Sequence, residues 1–249
     1  MARLDYERLA AAYRRSRDMP LAALEGWRRA VAPYVPQPGG PPVLDVGSGA
    51  GLFAHAFVRW FGVRVIGVEP AEAMRREALR HHGGRGIAYV GGRAEALPLR
   101  DGVCGCAWLS TVIHHIPDLP ACARELRRVL RSGAPVLIRS SFPGRHRDIT
   151  LFRFFPEASR VAGTFPTVEA TADAFAAAGF RLEALESVPQ VSAPSLRAFR
   201  DRARLRADST LAPLSDEAFA RGMAALDRAV AAEREPSPVI DRLDLLVLR

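Results

Sequence analysis

From residue 43 onward, short runs that are apolar at nearly every position alternate with longer stretches that are apolar every three or four positions. The short runs predict strands over 43–46, 63–69, 87–92, 103–110 and 134–141. The longer stretches predict helices over 50–60, 71–82 and 118–130. Strands apolar on both faces, separated by helices, imply a parallel sheet covered on both sides. Before this block, residues 3–17 and 20–32 read as two helices split at Pro20. The stretch "PYVPQPGGPP" (33–42) then stops the second one.

The last third changes character. Residues 167–178 read as a helix stopped by Gly179, 180–188 as an alternating strand, 193–207 and 215–234 as helices, and 239–249 as a closing strand. Residues 142–166 hold three prolines and several phenylalanines and follow the fifth strand. An insertion at the carboxyl end of a strand is where a substrate wall is expected. Phe142, Phe152, Phe154, Phe155 and Phe165 are candidates for that wall, with burial in the core as the alternative for each.

Composition alters this picture little. Hydrophobic residues make up 49% and charged residues 25%, as in ordinary globular proteins. The formal charge is +8, and all 35 basic residues are arginine, with no lysine or asparagine in the chain. The arginines are scattered among acids rather than gathered on one face, so a nucleic-acid partner is not expected. No run reaches the roughly 18–20 apolar residues of a membrane span. The N-terminal stretch has no apolar core of a secretory signal, and Asp5, Glu7 and Asp18 argue against a transit peptide. The expected location is the cytoplasm, with no membrane partner. Cys104 and Cys106, two apart in a strand-like run, are expected on one face, and with Cys122 they read as buried free thiols.

Candidate chemistry centres on "VLDVGSGAG" (43–51). A Walker-type phosphate loop needs a lysine, which the chain lacks. In a dinucleotide fingerprint, Gly47 and Gly49 fit the first two places, but the third falls on Leu52. S-adenosylmethionine fits better. It carries an ammonium and carboxylate at one end, a ribose, and no phosphate. Asp45 can attract the ammonium, Gly47 and Gly49 let the backbone come close, and Glu69 ends the second strand where a carboxylate can accept from ribose hydroxyls.

With "VIGVEP", "GGRAEALPLRDGVCGCAWLSTVIHHIPD" and "ELRRVLRSGAPVLIRS" following in order, the chain resembles the class I S-adenosylmethionine-dependent methyltransferases. The resemblance lies over about residues 43–141, and within that class it is to the ubiquinone/menaquinone-biosynthesis group. It implies an α/β, Rossmann-like, seven-stranded sheet with the last strand antiparallel and helices on both faces. An N-terminal helical cap (1–34) would precede a methyltransferase domain (35–249) with lid or substrate insertions near 142–166 and 189–237. It implies that Asp45, Gly47 and Gly49 line the methionine end, that Ser48 between them binds the cofactor, that Glu69 holds the ribose, that Ala94 and Glu95 lie by the adenine, and that Ser110 sits against the cofactor. Arg93 stands where many relatives have an adenine-contacting aspartate. By the same resemblance Tyr13 and Arg17, on the first helix, approach the cofactor, with ordinary surface positions as the alternative.

The implied reaction is in-line methyl transfer to oxygen, nitrogen or carbon of a small molecule, leaving S-adenosylhomocysteine. A general base is needed only for a poorly acidic nucleophile. His114 and His146 are the candidates, and packing is the competing role for His114. Arg139 and Arg153 could orient an anionic acceptor or form surface ion pairs. His81 and His82, at a helix end, are expected to be exposed, and His55 has no evident partner. The Asp/Asp/Asn cluster of metal-dependent catechol methylation is absent, so no metal is expected. A methyltransferase-fold cyclase and a nucleic-acid methyltransferase are the alternatives; oligomeric state is open.

Overall fold

The computed structural model describes residues 6–17 and 19–249. The expected helix start at residue 3, Asp5 and Asp18 lie outside the described residues. Helix α1 (Tyr6–Arg17) is followed by a 3-10 turn (Leu21–Leu24) and α2 (Glu25–Val31). Then come β1 (Val43–Val46), α3 (Leu52–Phe61), β2 (Val65–Val68), α4 (Glu72–His82), β3 (Ile87–Val90), β4 (Cys106–Ser110), α5 (Leu119–Val129) and β5 (Val136–Ser140). The remainder is α6 (Thr150–Phe154), α7 (Pro156–Ala162), α8 (Val168–Ala176), β6 (Leu182–Ala193), α9 (Leu196–Ala203), α10 (Asp216–Ala232) and β7 (Val239–Leu248).

The seven strands form one sheet in the order β3-β2-β1-β4-β5-β7-β6. All pairings are parallel except those of β7, which runs antiparallel to both β5 and β6. From β1 the chain builds outward through β2 and β3, then returns to place β4 on the other side of β1. The strand order therefore reverses between β1 and β4, and a crevice opens at their carboxyl ends.

Two apolar layers flank the sheet. One packs Leu44, Leu109 and Ile138 against Leu126 and Val129 of α5 and Phe175 of α8. The other packs Val43, Trp108 and Leu137 against Trp27 of α2 and Phe57 of α3. Here the Trp27 and Trp108 rings meet edge to face with centroids 5.9 Å apart. A third cluster stands apart from the sheet faces. Phe154, Phe155, Phe199, Met223 and Leu226 join α6, α7, α9 and α10 into a small helical body with its own core.

The shared face expected for Cys104 and Cys106 and the exposure expected for His82 are not found. Cys104 and Cys106 fall in different apolar layers. Cys104 lies ahead of β4 and makes only an isolated bridge to Leu130, so the two-residue alternation of a strand does not apply to it. All three cysteines are buried and free. The insertion 142–166 contains the two short helices α6 and α7. Phe142, Phe154 and Phe155 are core. His82 is buried, and its Nδ1 lies 2.8 Å from the Ala50 carbonyl. The His55 ring lies 5.4 Å from that of His82. Among the described residues no helix is long and apolar enough to cross a membrane.

Candidate active site

The β1–α3 turn is built on backbone that only glycine adopts easily. Gly47, Gly49 and Gly51 have φ of 67°, 54° and 87°. The three glycines serve different ends. A Cβ on Gly47 would fall 2.4 Å from Cγ2 of Val112, and one on Gly51 would fall 2.2 Å from the Tyr89 hydroxyl. Both are therefore glycine for close packing of the protein on itself. A Cβ on Gly49 would meet nothing nearer than Cε1 of Tyr13, at 3.7 Å. Its open face lines a cavity together with Asp45, Gly47, Ser48, Ser110, Thr111 and His114.

Asp45 is almost fully buried, and its Oδ2 has no hydrogen-bond partner; the same is true of Ser48 Oγ. Burial, reinforced by the nearby Glu69 charge and only partly offset by the Ala54 N–H, pushes the Asp45 carboxyl up to about 8. Glu69, just past β2, accepts the Gly49 N–H through Oε2 (3.0 Å) and the Ala71 N–H through Oε1 (2.9 Å). It thus holds the glycine turn in place through both carboxylate oxygens.

Helix α1 lies across this turn. Its Tyr13 and Arg17 line the cavity, and Arg14 pairs with Glu77 of α4 at 3.0 Å. Arg17 donates to Asp208 at 2.6 Å, tying α1 to the loop between α9 and α10. That loop also brings Ser209 and Thr210 to the cavity wall.

On the far side, Thr111 follows β4 at φ 50°, a strained value for a β-branched residue and one typical of functional sites. His114 Nε2 lies 3.1 Å from Ser209 Oγ, and its ring stacks on Phe165 with centroids 3.9 Å apart. Burial, then the neighbouring His115, pulls its pKa down to about 3. The imidazole is therefore neutral at physiological pH and a weak base. Arg139 of β5 is buried rather than in a surface ion pair. It donates to Gln190 Oε1 (2.5 Å) and Ser110 Oγ (3.1 Å) and lies over the Trp27 and Phe53 rings.

The structure thus gathers Tyr13, Arg17, Asp45, Gly47, Ser48, Gly49, Ser110, His114 and Arg139 around one cavity. Glu69, Ala94 and Glu95 stand outside its lining. Glu95 is partly covered and lies 3.7 Å from Arg93. His146 is away from the cavity, with Nδ1 3.2 Å from the Phe142 carbonyl and Nε2 3.2 Å from Ser159 Oγ, so both ring nitrogens are engaged in holding the insertion. Arg153 is exposed, over Phe154. Of the aromatic candidates, Phe152 and Phe165 line the cavity. His82, expected at an exposed helix end, also lines it, as do Gln190, Ser192, Arg202, Asp208 and Asp241, which the sequence did not single out. Among the described residues no group of three or more His, Cys, Asp or Glu side chains could hold a metal ion.

Residues 44–138 match the family described as a methyltransferase domain. An uncharacterized methyltransferase of Mycobacterium sp. (strain KMS) is 41% identical over 97 residues, 39% of this chain and 37% of that protein. A demethylmenaquinone methyltransferase of Roseiflexus castenholzii is 30% identical over 133 residues, 53% of this chain and 56% of that protein. The chain thus spans from about a third to about half the length of these relatives. Among solved structures, a protein of Anabaena variabilis assigned to methyl transfer in an antibiotic biosynthesis pathway superposes with a TM-score of 0.69 at 19% identity, covering 94% of this chain and 99% of that one. The [4+2]-cyclase SpnF superposes at 0.64 and 18% identity, covering 98% and 93%. A geranyl diphosphate C-methyltransferase of Streptomyces coelicolor, solved with S-adenosyl-L-homocysteine, superposes at 0.57 and 14% identity, covering 90% and 76%. Likeness at these identities establishes the fold.

Proposed function

We propose, from the premise that residues 44–138 form a methyltransferase domain, that this chain transfers a methyl group from S-adenosyl-L-methionine to a small-molecule acceptor without a metal. The observation that carries the reading is the buried Asp45 carboxyl. Its Oδ2 lacks a partner beside the left-handed Gly47–Gly49 turn. An orphaned acid in a cavity fits an ammonium group, and the open face of Gly49 fits a ligand backbone lying against it. The cofactor supplies a sulfonium whose methyl group is open to in-line attack.

The chain's own residues do the rest. Asp45 and Ser48 hold the amino-acid end, and Glu69, at the end of β2, holds ribose hydroxyls. Tyr13 and Arg17 cover the site and exclude water. Ala94 and Glu95 flank the adenine. His114, neutral, orients the acceptor by hydrogen bonding rather than by taking its proton at neutral pH. The test is calorimetric titration with S-adenosylmethionine and S-adenosylhomocysteine, beside Glu69→Ala and Asp45→Asn. Micromolar binding that both variants weaken supports the reading; absence of binding to the unsubstituted chain overturns it.

A further inference from the structure

The side of the cavity away from Asp45 carries a charge that the methyl-transfer reading leaves unused. Asp45 sits on β1 and Glu69 at the end of β2. Arg139 is on β5, two strands beyond β1 in the sheet order, a separation of about 10 Å. The residue is 4% exposed and lines the cavity. Among the described residues it has no carboxylate within ion-pair distance, and its buried Nε–H has no acceptor.

The groups that accept from Arg139 are neutral and fixed. Gln190 Oε1 accepts from both Arg139 and the Trp27 indole N–H (3.0 Å). Those two partners can only donate, so the Gln190 amide cannot be turned over. Its nitrogen is left facing Ser192 Oγ at 3.3 Å. The strand pairing sets Arg139 beside Ser110, and that hydroxyl takes one more N–H. A guanidinium so gripped, with an N–H left over in a buried wall, is a prepared half of a charge-assisted pair.

The charge balance of the wall indicates the valence of the missing half. Arg17 is matched by Asp208, and Arg14 shares Glu77 with Arg80 on the α4 side. Arg139 and Arg202 remain, and Asp241 is the nearby acid that offsets them electrostatically. Asp241 already accepts the Thr150 N–H at 2.8 Å. One positive charge is left over, which suits a monoanion. Beside Ser140, Ser141 and Ser192, this wall presents the apolar side chains of Ile149, Leu151, Phe152, Phe165 and Phe199.

We propose that the methyl acceptor is a carboxylic acid with an apolar body, its carboxylate held by Arg139 with Arg202 at the β5–β6 side of the cavity and its body against the phenylalanines. This rests on the methyltransferase reading for the word acceptor; the carboxylate subsite stands on the residues just described. The cofactor's own carboxylate is the other source of the same chemistry, and the experiment separates the two.

Arginine Nε–H resonances are followed by 15N–1H NMR, with that of Arg139 assigned by its loss in Arg139→Lys. The protein is saturated first with S-adenosylhomocysteine, then titrated with benzoate, octanoate or the uncharged benzamide. The expected result is a saturable shift of the Arg139 signal with benzoate or octanoate and none with benzamide. Arg202→Gln, which leaves Arg139 in place, should weaken that response about tenfold. Two results overturn the proposal. One is no shift with either carboxylate; the other is a full shift with S-adenosylhomocysteine alone, which assigns Arg139 to the cofactor. If S-adenosylhomocysteine does not bind at all, the methyltransferase reading fails. The carboxylate titration of the ligand-free protein then still judges the subsite.

Discussion

Cofactor binding at this site should release a proton, and the source is Asp45. In the ligand-free protein its carboxyl is raised from 3.8 to about 8, so it is protonated across most of the physiological range. An ammonium placed against Oδ2 favours the ionised form, and the pKa in the complex falls well below neutrality. Below pH 8 each binding event must then expel one proton. The dissociation constant for S-adenosylhomocysteine should fall about tenfold per pH unit from 6 to 8 and then level off. This range is about 100-fold, or about 2.7 kcal/mol at 1.36 kcal/mol per unit.

The same shift makes a statement about stability. Between the unfolded value near 4 and the folded value near 8, the unfolded chain binds fewer protons, so the ligand-free protein loses stability as pH rises through that window. At pH 7 the loss is on the order of 4 kcal/mol. Asp45→Asn removes the ionisable group and should melt higher at pH 7 than the parent while binding the cofactor less tightly. Calorimetry at pH 6, 7 and 8, in buffers with different heats of ionisation, gives both the slope and the proton count. A dissociation constant equal at pH 6 and 8, with a binding enthalpy indifferent to buffer, refutes the reasoning.

Other outcomes can be checked on the same protein. Gly51→Ala must place a Cβ at φ 87° and 2.2 Å from the Tyr89 hydroxyl; a loss of about 3 kcal/mol in urea unfolding is expected. Gly49→Ala meets only Tyr13 at 3.7 Å and should cost about 1 kcal/mol in stability, while weakening S-adenosylhomocysteine binding far more than that stability change would suggest. His114, held near 3, should leave no ionisation in the pH–rate profile between 6 and 8, and His114→Gln should keep the profile's shape. Asp208→Asn removes the carboxylate charge that pairs with Arg17 at 2.6 Å, so amide hydrogen exchange over 205–214 should speed up while the sheet strands exchange unchanged.

What the chain's pattern revealed follows from burial. β1 is buried at all four positions, and its bounds were legible to the residue because nothing but a covered strand reads as "VLDV" before a glycine turn. The edge of the sheet was harder to read. β6 runs on through Pro189 to Ala193, past the predicted stop at 188. An edge strand tolerates a proline that a central one would not. That early stop hid Gln190 and Ser192, the residues that orient Arg139. His82 was missed for a different reason: its helix end is covered by the glycine turn, whose Ala50 carbonyl lies beside the ring, and no local rule anticipates that contact. Asp208, Ser209 and Thr210 reach the cavity from a loop nearly 200 residues from α1, and their neighbours in sequence carry no sign of it.

The edge-to-face indoles of Trp27 and Trp108 have an optical consequence. Their centroids are 5.9 Å apart, close enough for the two transitions to mix, and both rings are held rigid with no measurable exposure. The pair should therefore give a strong near-ultraviolet dichroic band. Trp27 is also 5.0 Å from the Arg139 guanidinium and hydrogen-bonded to Gln190. The band is thus a native, label-free gauge of what happens at the β5–β6 wall, readable in a cuvette at the speed of a stopped-flow mixer.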